Sequence, residues 1–312
     1  MSKVKVALLA GGKSSEREVS LSGGDEVFKA LDRAKYEVTR YDPATDLARL
    51  VADAAMIDVA FLVLHGPYGE DGTVQGLLDL LGIPYQGSGV LGSALAMDKW
   101  ASKRIYREAG LSVPPFEMLV RGQPIDVDGL GKRLGTPVIV KPRHGGSSIG
   151  TSIVSGPEAL VEAVERAFGY DRDVMIEAFI KGPEITGAVL GNDVLETLPI
   201  VEIVPGSEFG FFDYEAKYQP GATQEICPAR ISASVAERAQ RIAERAHQAL
   251  CCRGYSRTDM IVGGETIYVL ETNTIPGMTP VSLFPLAAKT AGMAFDKLLD
   301  RLITLALEDK KG

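Results

Sequence analysis

The stretch Arg257-Thr258-Asp259-Met260-Ile261-Val262-Gly263-Gly264-Glu265-Thr266-Ile267-Tyr268-Val269-Leu270-Glu271-Thr272-Asn273-Thr274-Ile275-Pro276-Gly277-Met278 decides how this chain is read. Two apolar, strand-like runs meet at Gly263-Gly264, a strong short-range signal for a β-hairpin. Each run carries an acidic residue at its end away from the turn, Asp259 on one arm and Glu271 on the other, where a core strand should have none. If the connecting loop has an odd number of residues, both carboxylates project from one face. A three-residue loop makes them diagonal neighbours, about 7–8 Å apart at the backbone. Mg²⁺ takes near-octahedral oxygen ligands and binds to one or two carboxylates plus substrate phosphates. Asp259, Glu271 and Asn273 supply three such oxygens. The competing reading is a surface hairpin whose acids face water. The apolar setting, Arg257 and the Pro276-Gly277 turn weigh against it.

Working outward, the chain has 312 residues, enough for two or three domains with a sizeable core. Hydrophobic residues at 46% and charged residues at 24% are those of an ordinary soluble globular protein. A formal net charge of -8 argues against general affinity for nucleic acid or an anionic membrane. No apolar run approaches the roughly 20 residues of a membrane helix, and the N-terminus lacks a signal-peptide layout. Cys227, Cys251 and Cys252 form no disulfide framework and read as reduced cytosolic thiols. With only His65, His144 and His247 besides, a zinc site is not expected. The compartment expected is the cytoplasm.

Apolar strand runs alternate with helical patterns, which predicts an α/β architecture. Val4–Ala10 reads as a strand, followed by a helix that opens at Ser15-Glu16-Arg17-Glu18, a capping-box pattern. Asp58–Leu64 reads as a strand buried on both faces. A helix through Leu77, Leu78 and Leu81 follows, then a short strand Ile83-Pro84-Tyr85. One helix is predicted from about Ser93 to Ala109, closed by Gly110, and Val113-Pro114-Pro115 marks a linker. Strands at Pro137–Lys141, Thr151–Val154 and Val174–Phe179 surround a helix carrying Leu160, Val164 and Phe168. The last third reads as strands near 185–190 and 194–204, an irregular stretch to Gly221, a helix through Val235 and Leu250, the hairpin, and a closing helix from Phe295 to Ala306. The expected division is 1–92, 93–183 and 184–312.

Several connecting segments carry chemistry. Lys141-Pro142-Arg143-His144-Gly145-Gly146-Ser147-Ser148-Ile149-Gly150 joins two strands. Its glycines let backbone N–H groups approach an anion and its lysine brings a point charge, as in a loop closing over phosphates; the alternative is an ordinary hairpin loop. Gly12-Lys13-Ser14 is not a P-loop, because the required glycine five residues earlier is Ala7. Glu16 reads by default as a helix cap. His65-Gly66-Pro67-Tyr68-Gly69-Glu70-Asp71-Gly72 follows the C-terminal end of a buried strand, where ligands bind in open α/β sheets, or else is turn chemistry with Asp71 as a cap. Glu177-Ala178-Phe179-Ile180-Lys181-Gly182-Pro183-Glu184 has apolar residues for a base and an acid for ribose hydroxyls, a weak motif alone. Asp213-Tyr214-Glu215-Ala216-Lys217-Tyr218 lies in a long irregular segment, either a lid or a solvated loop.

Together these segments resemble the D-alanine–D-alanine ligase family of the ATP-grasp superfamily over nearly the whole chain. Ser14–Ser20, His65–Gly76, Gly87–Gly89, Met97–Lys99, the Lys141 loop, Asp213–Tyr218 and Glu271–Thr279 occur in the family's order. The resemblance implies a three-domain α/β ATP-grasp architecture: an N-terminal doubly wound parallel-sheet domain and two α+β lobes clasping ATP. It implies Lys99 and Lys141 on the phosphates, and Glu177, Phe179, Ile180 and Glu184 around adenine and ribose. Asp259, Glu271 and Asn273 would hold two Mg²⁺ (or Mn²⁺) ions. Two D-alanine molecules would be joined through a D-alanyl phosphate, with Arg257 and the Gly277 N–H on the oxyanion. Glu16, Ser147 and Tyr218 would orient the first substrate and close the lid, with His65 nearby. Lys217, Ser282 and Leu283 would receive the second substrate's carboxylate. A homodimer is also implied. A D-alanyl–D-lactate or other D-amino-acid ligase is the alternative within enzymes, and a non-catalytic ATP-binding scaffold the alternative outside them. The intact Tyr-Glu-Ala-Lys-Tyr run favours an amine acceptor.

Overall fold

A computed structural model of the chain describes residues 3–146, 148–206 and 223–308. Three sheets organise it. Strands β1 (Val4–Ala10), β2 (Tyr36–Tyr41) and β3 (Val59–Val63) form a parallel sheet in the order β2-β1-β3. The apolar runs Val6–Ala10 of β1 and Val59–Val63 of β3 follow from burial on both faces, as expected of a parallel sheet covered by helices. Tyr85 adds only a single parallel bridge to Ala60, so the predicted strand Ile83-Pro84-Tyr85 reduces to one residue.

Helix Arg17–Ala30 lies directly on this sheet. A Cβ on Gly24 would stand 2.5 Å from the Ala10 Cβ, so glycine permits the close approach. Ser20 fastens the helix start: its Oγ accepts from Gly11 N at 2.8 Å and donates to the Val63 carbonyl. Two strand ends and one helix start are thereby fixed together, and Glu16 projects from that junction.

The central antiparallel sheet has the order β4-β7-β5-β6, from β4 (Phe116–Val120), β5 (Val138–Pro142), β6 (Ser152–Val154) and β7 (Asp173–Ala178). Helices Val127–Leu134 and Pro157–Phe168 cover one face with Leu130, Leu160, Val164 and Phe168. The third sheet comprises β8 (Glu184–Gly191), β9 (Glu196–Thr197), β10 (Val201–Pro205), β11 (Thr223–Ile226), β12 (Gly254–Gly263) and β13 (Thr266–Asn273). It is antiparallel in the order β11-β10-β8-β12-β13, with β9 on β8. The predicted strand over 194–204 is thus two strands, interrupted at Leu198-Pro199-Ile200, because proline cannot donate to a ladder. Helix Ala233–Ala249 packs Ala239, Ala243 and Ala246 against Ile185, Val189 and Met260 on one face of this sheet. Its start is capped by Ser232, whose Oγ accepts from Val235 N.

The predicted single helix from Ser93 to Ala109 is two: Val90–Met97 and Lys99–Glu108. Asp98 breaks it by turning extended and capping the second helix, accepting from Trp100 N and Ala101 N. Among the described residues no helix is long and apolar enough to cross a membrane.

His247 lies between helix and sheet, 1% exposed, with Nδ1 2.7 Å from the Ser256 Oγ. Burial pulls its pKa down to about 4. As pH falls through 6.5 the unfolded chain takes up a proton that the folded chain refuses until about 4. The stability is therefore complete above pH 6.5 and drains away below it, at up to about 1.4 kcal/mol per pH unit for one histidine. His247→Gln is expected to flatten the fall in urea midpoint between pH 7 and pH 5. A slope equal to that of the parent protein would show that His247 accepts its charge while folded.

Candidate active site

Hairpin β12–β13 closes with a two-residue turn, Gly264-Glu265, since Gly263 pairs with Thr266. An uninterrupted ladder from that turn would set Asp259 opposite Leu270 and put Glu271 on the other face. A bulge intervenes: Met260 pairs with Val269, Asp259 with Glu271, and Leu270 is the extra residue. The carboxylates do share a face, but through a bulge rather than an odd-numbered loop, and as directly opposed rather than diagonal neighbours. Arg257 opposite Asn273 extends the same face.

That face is tightly bonded. Arg257 Nε and Nη2 donate to the two oxygens of Asp259 at 2.9 and 2.8 Å, a planar two-point clamp. Asn273 Nδ2 also donates to Asp259, at 3.2 Å, so its carbonyl oxygen turns elsewhere. Burial opposes the charge on Arg257, but Asp259 outweighs it and raises the guanidinium pKa. On the reverse face, Tyr106 OH meets Thr272 Oγ1 at 2.7 Å, and Thr272 meets Thr258 Oγ1 at 3.0 Å, tying the hairpin to helix Lys99–Glu108. Two carboxylates and one amide oxygen fit a hard divalent cation that takes its remaining ligands from phosphate and water. Among the described residues no group of three or more His, Cys, Asp or Glu side chains gathers to hold a metal by itself.

Between the central and third sheets lies a cleft of about 120 Å³. Lys99, Lys141, Glu177 and Phe179 line one side, and Glu184, Asp259, Ile261 and Glu271 the other. Lys141 Nζ donates to Glu177 Oε2 at 2.6 Å, and Lys103 forms an ion pair with Glu177 Oε1. The two lysines hold the Glu177 carboxylate below its ordinary pKa although burial acts the other way. Glu177 therefore faces the cleft with its charge committed to lysines. Lys99 Nζ donates to the Gly145 carbonyl at 2.5 Å, pinning the glycine loop over the cleft. Arg143 anchors the start of that loop through Asp98 and Asp173. Ile180 packs against Gly263, where a Cβ would come within 2.7 Å of its Cγ2.

A larger cavity of about 510 Å³ opens on the other side of Arg257 and Asn273. Its walls include Glu16, His65, Gly277, Ser282 and Leu283. Glu16 is 4% exposed and stands at the N-cap position without a side-chain cap, which corrects the reading of Glu16 as a helix cap. Its Oε2 nestles between two glycines: a Cβ on Gly66 would lie 3.0 Å away and one on Gly146 3.4 Å away. Gly66, at φ +69, also has a backbone that side-chain-bearing residues rarely adopt. Burial, then the Arg257 charge, pulls His65 down to about 4, so its ring is neutral at pH 7. Ser282 Oγ accepts from Thr279 N at 3.2 Å and contacts Thr279 Oγ1 at 2.8 Å, fixing the Gly277 turn against helix Leu283–Thr290.

Ser147, Lys217 and Tyr218 lie outside the described residues. The sequence reading missed Lys103, Glu70 and Glu225. Lys103 follows Lys99 at i+4, which puts both on one helix face but carries no sign that Lys103 is buried. Glu70 lines both the cavity and a small pocket of about 30 Å³ beside Lys99 and Glu271, and burial, then the Glu16 charge, raise it to about 8. Glu225 reaches the cavity from β11 and is raised by burial.

Two antiparallel sheets gripping a cleft, one giving lysines and a glycine loop, the other a two-carboxylate hairpin, define the ATP-grasp class. Family profiles described as "D-ala D-ala ligase C-terminus" and "D-ala D-ala ligase N-terminus" match residues 105–304 and 43–88. A D-alanine–D-alanine ligase of Syntrophobacter fumaroxidans is 62% identical over 98% of this chain and 99% of its own. A crystal structure of the D-alanine–D-alanine ligase of Bacillus anthracis complexed with ATP is 39% identical, with TM-score 0.87 over 99% of both chains. A D-Ala:D-Ser ligase of Enterococcus faecalis is 33% identical, with TM-score 0.84 over 98% of this chain and 100% of that one. The chain belongs to the D-alanine–D-alanine ligase family.

Proposed function

We propose that the chain joins two D-alanine molecules into D-alanyl-D-alanine at the expense of ATP, in the cytoplasm, for peptidoglycan precursor synthesis. The observation that carries this reading is the position of the Arg257–Asp259–Glu271–Asn273 face, shared between the cleft and the 510 Å³ cavity. Phosphates entering from one side meet a small amino acid entering from the other. The division into three units, 1–92, 93–183 and 184–312, is supported by one sheet in each. A homodimer is proposed on the family likeness alone.

In the cleft, Phe179, Ile180 and Glu184 receive adenine and ribose, and Lys99 and Lys141 hold phosphates. Asp259, Glu271 and Asn273 hold Mg²⁺ or Mn²⁺, two ions on this reading, which neutralise crowded phosphate charge. Glu16 receives the ammonium of the first D-alanine, beside neutral His65, and leaves its carboxylate facing the cleft. The γ-phosphoryl group passes to that carboxylate, ADP is left, and the acyl carbon becomes electrophilic. The amine of the second D-alanine, having lost a proton, attacks this carbon. Arg257 and the Gly277 N–H stabilise the oxyanion, and phosphate departs as the C–O bond breaks. Ser282 and Leu283 seat the second carboxylate; the parts that the family likeness implies for Lys217, Ser147 and Tyr218 fall on residues outside those described.

The test is ADP and dipeptide production by purified protein across D-alanine, D-serine, D-lactate and L-alanine. ADP release that depends on D-alanine, with D-alanyl-D-alanine as product, is expected. ATP binding without turnover would replace this reading by a scaffold, and preferential ester formation with D-lactate by the depsipeptide alternative.

A further inference from the structure

Lys103 is 0% exposed, a placement a lysine adopts only when its charge is matched. It projects from helix Lys99–Glu108 and ion-pairs with Glu177 Oε1, while Glu177 Oε2 accepts from Lys141 Nζ at 2.6 Å. Glu177 is itself 0% exposed, whereas the Lys141 side chain keeps 10% of its surface and lines the cleft. One buried carboxylate is thus divided between two ammonium groups, and the trio carries a net positive charge. Without Lys103, Glu177 and Lys141 would close into a neutral pair. The undivided carboxylate would then hold the Lys141 ammonium by both oxygens and compete with any phosphate for it. Three buried charges also cost desolvation free energy that a plain apolar packing residue at 103 would avoid.

We propose that Lys103 is a positioning residue for nucleotide binding: by occupying half of the Glu177 carboxylate it leaves Lys141 in place and net cationic toward the phosphates. The proposal rests on the reading of Lys141 as a phosphate ligand. Burial, acting against Glu177, brings Lys103 down to about 8, so it is still charged at neutral pH.

Calorimetric titration with ADP and with adenosine, in the presence of Mg²⁺, separates the possibilities. Lys103→Met is expected to weaken ADP about tenfold while leaving adenosine within about twofold, because only the phosphates read the charge. Lys103→Met combined with Glu177→Gln removes a cation and an anion together and restores the net charge at Lys141. It is expected to recover most of the lost ADP affinity. A merely structural lysine would weaken both ligands alike, or neither, and the double variant would be worse than the single; either pattern overturns the proposal. If Lys103→Met fails to fold, the charge-balanced double variant carries the test, and weak ADP binding by it overturns the proposal. Lys141→Met is the control: unchanged ADP affinity there would remove the phosphate role of Lys141 itself, a failure distinct from that of Lys103.

Discussion

Glu271→Gln combined with Asp259→Asn is expected to bring D-alanine-dependent ADP formation below detection, with Glu271→Gln alone costing at least about a hundredfold. The two carboxylates are directly opposed on one face of the hairpin, so both approach the same volume of the cleft. The amides that replace them keep one carbonyl oxygen each but no charge, so a divalent cation is held too weakly, and triphosphate charge then meets too little positive charge to be held for transfer. The two changes differ in their structural cost. Glu271 is half-buried, and its amide is isosteric, so Glu271→Gln should change stability by no more than about 1 kcal/mol. Asp259 is the counter-charge of buried Arg257, and disrupting such a pair costs about 3–5 kcal/mol. A thermal melt of each variant therefore accompanies the assay, and nucleotide-dependent Mn²⁺ binding followed by electron spin resonance gives a readout independent of turnover. Near-normal ADP formation by the folded double variant, or undiminished Mn²⁺ binding, would sink the metal assignment.

The hairpin was legible because its two apolar arms and glycine turn are local signals, and so were the buried strands β1 and β3, whose continuous apolar runs reflect helices on both sides. The bulge was not. Leu270 is an apolar residue in an apolar run, and nothing local tells whether it pairs or is extruded; the pairing of Thr272 with Thr258 beneath it settles the register from outside. Asp98 was overlooked for the opposite reason. Apolar residues on both sides of it continued a helical pattern, and a cap inside such a pattern competes with the periodicity. Glu16 occupies a cap position by sequence but lies in a cavity wall where Gly66 and Gly146, distant in sequence, leave room for its carboxylate only in the folded chain. Lys103 is the extreme case, since a lysine at i+4 from another lysine reads as solvated helix surface until the sheet that buries it is in place. Local motifs thus announce the groups that face substrate, while the groups that hold those motifs in position come from tertiary packing.

Arg257→Lys is expected to lower dipeptide synthesis by about a hundredfold to a thousandfold while altering the KM for ATP little. Lysine keeps the charge but has no planar fork, so it cannot grip both oxygens of Asp259 and at the same time present N–H groups to the cavity as Arg257 does. If Arg257 serves the tetrahedral oxyanion, the loss belongs to the amine-attack step. The preceding phosphoryl transfer should be less affected, because the hairpin carboxylates and the lysines of the cleft remain. Hydroxylamine distinguishes these steps: a strong nucleophile, it converts an acyl phosphate to the hydroxamate even in free solution, without the protein's oxyanion donors or a seat for a second D-alanine. The variant should therefore yield a larger ratio of hydroxamate to dipeptide than the parent protein. An equal fall in both products would move the role of Arg257 back to the positioning of Asp259 and phosphoryl transfer. Full activity in Arg257→Lys would show that a point charge suffices and that the two-point clamp on Asp259 has no part in the reaction.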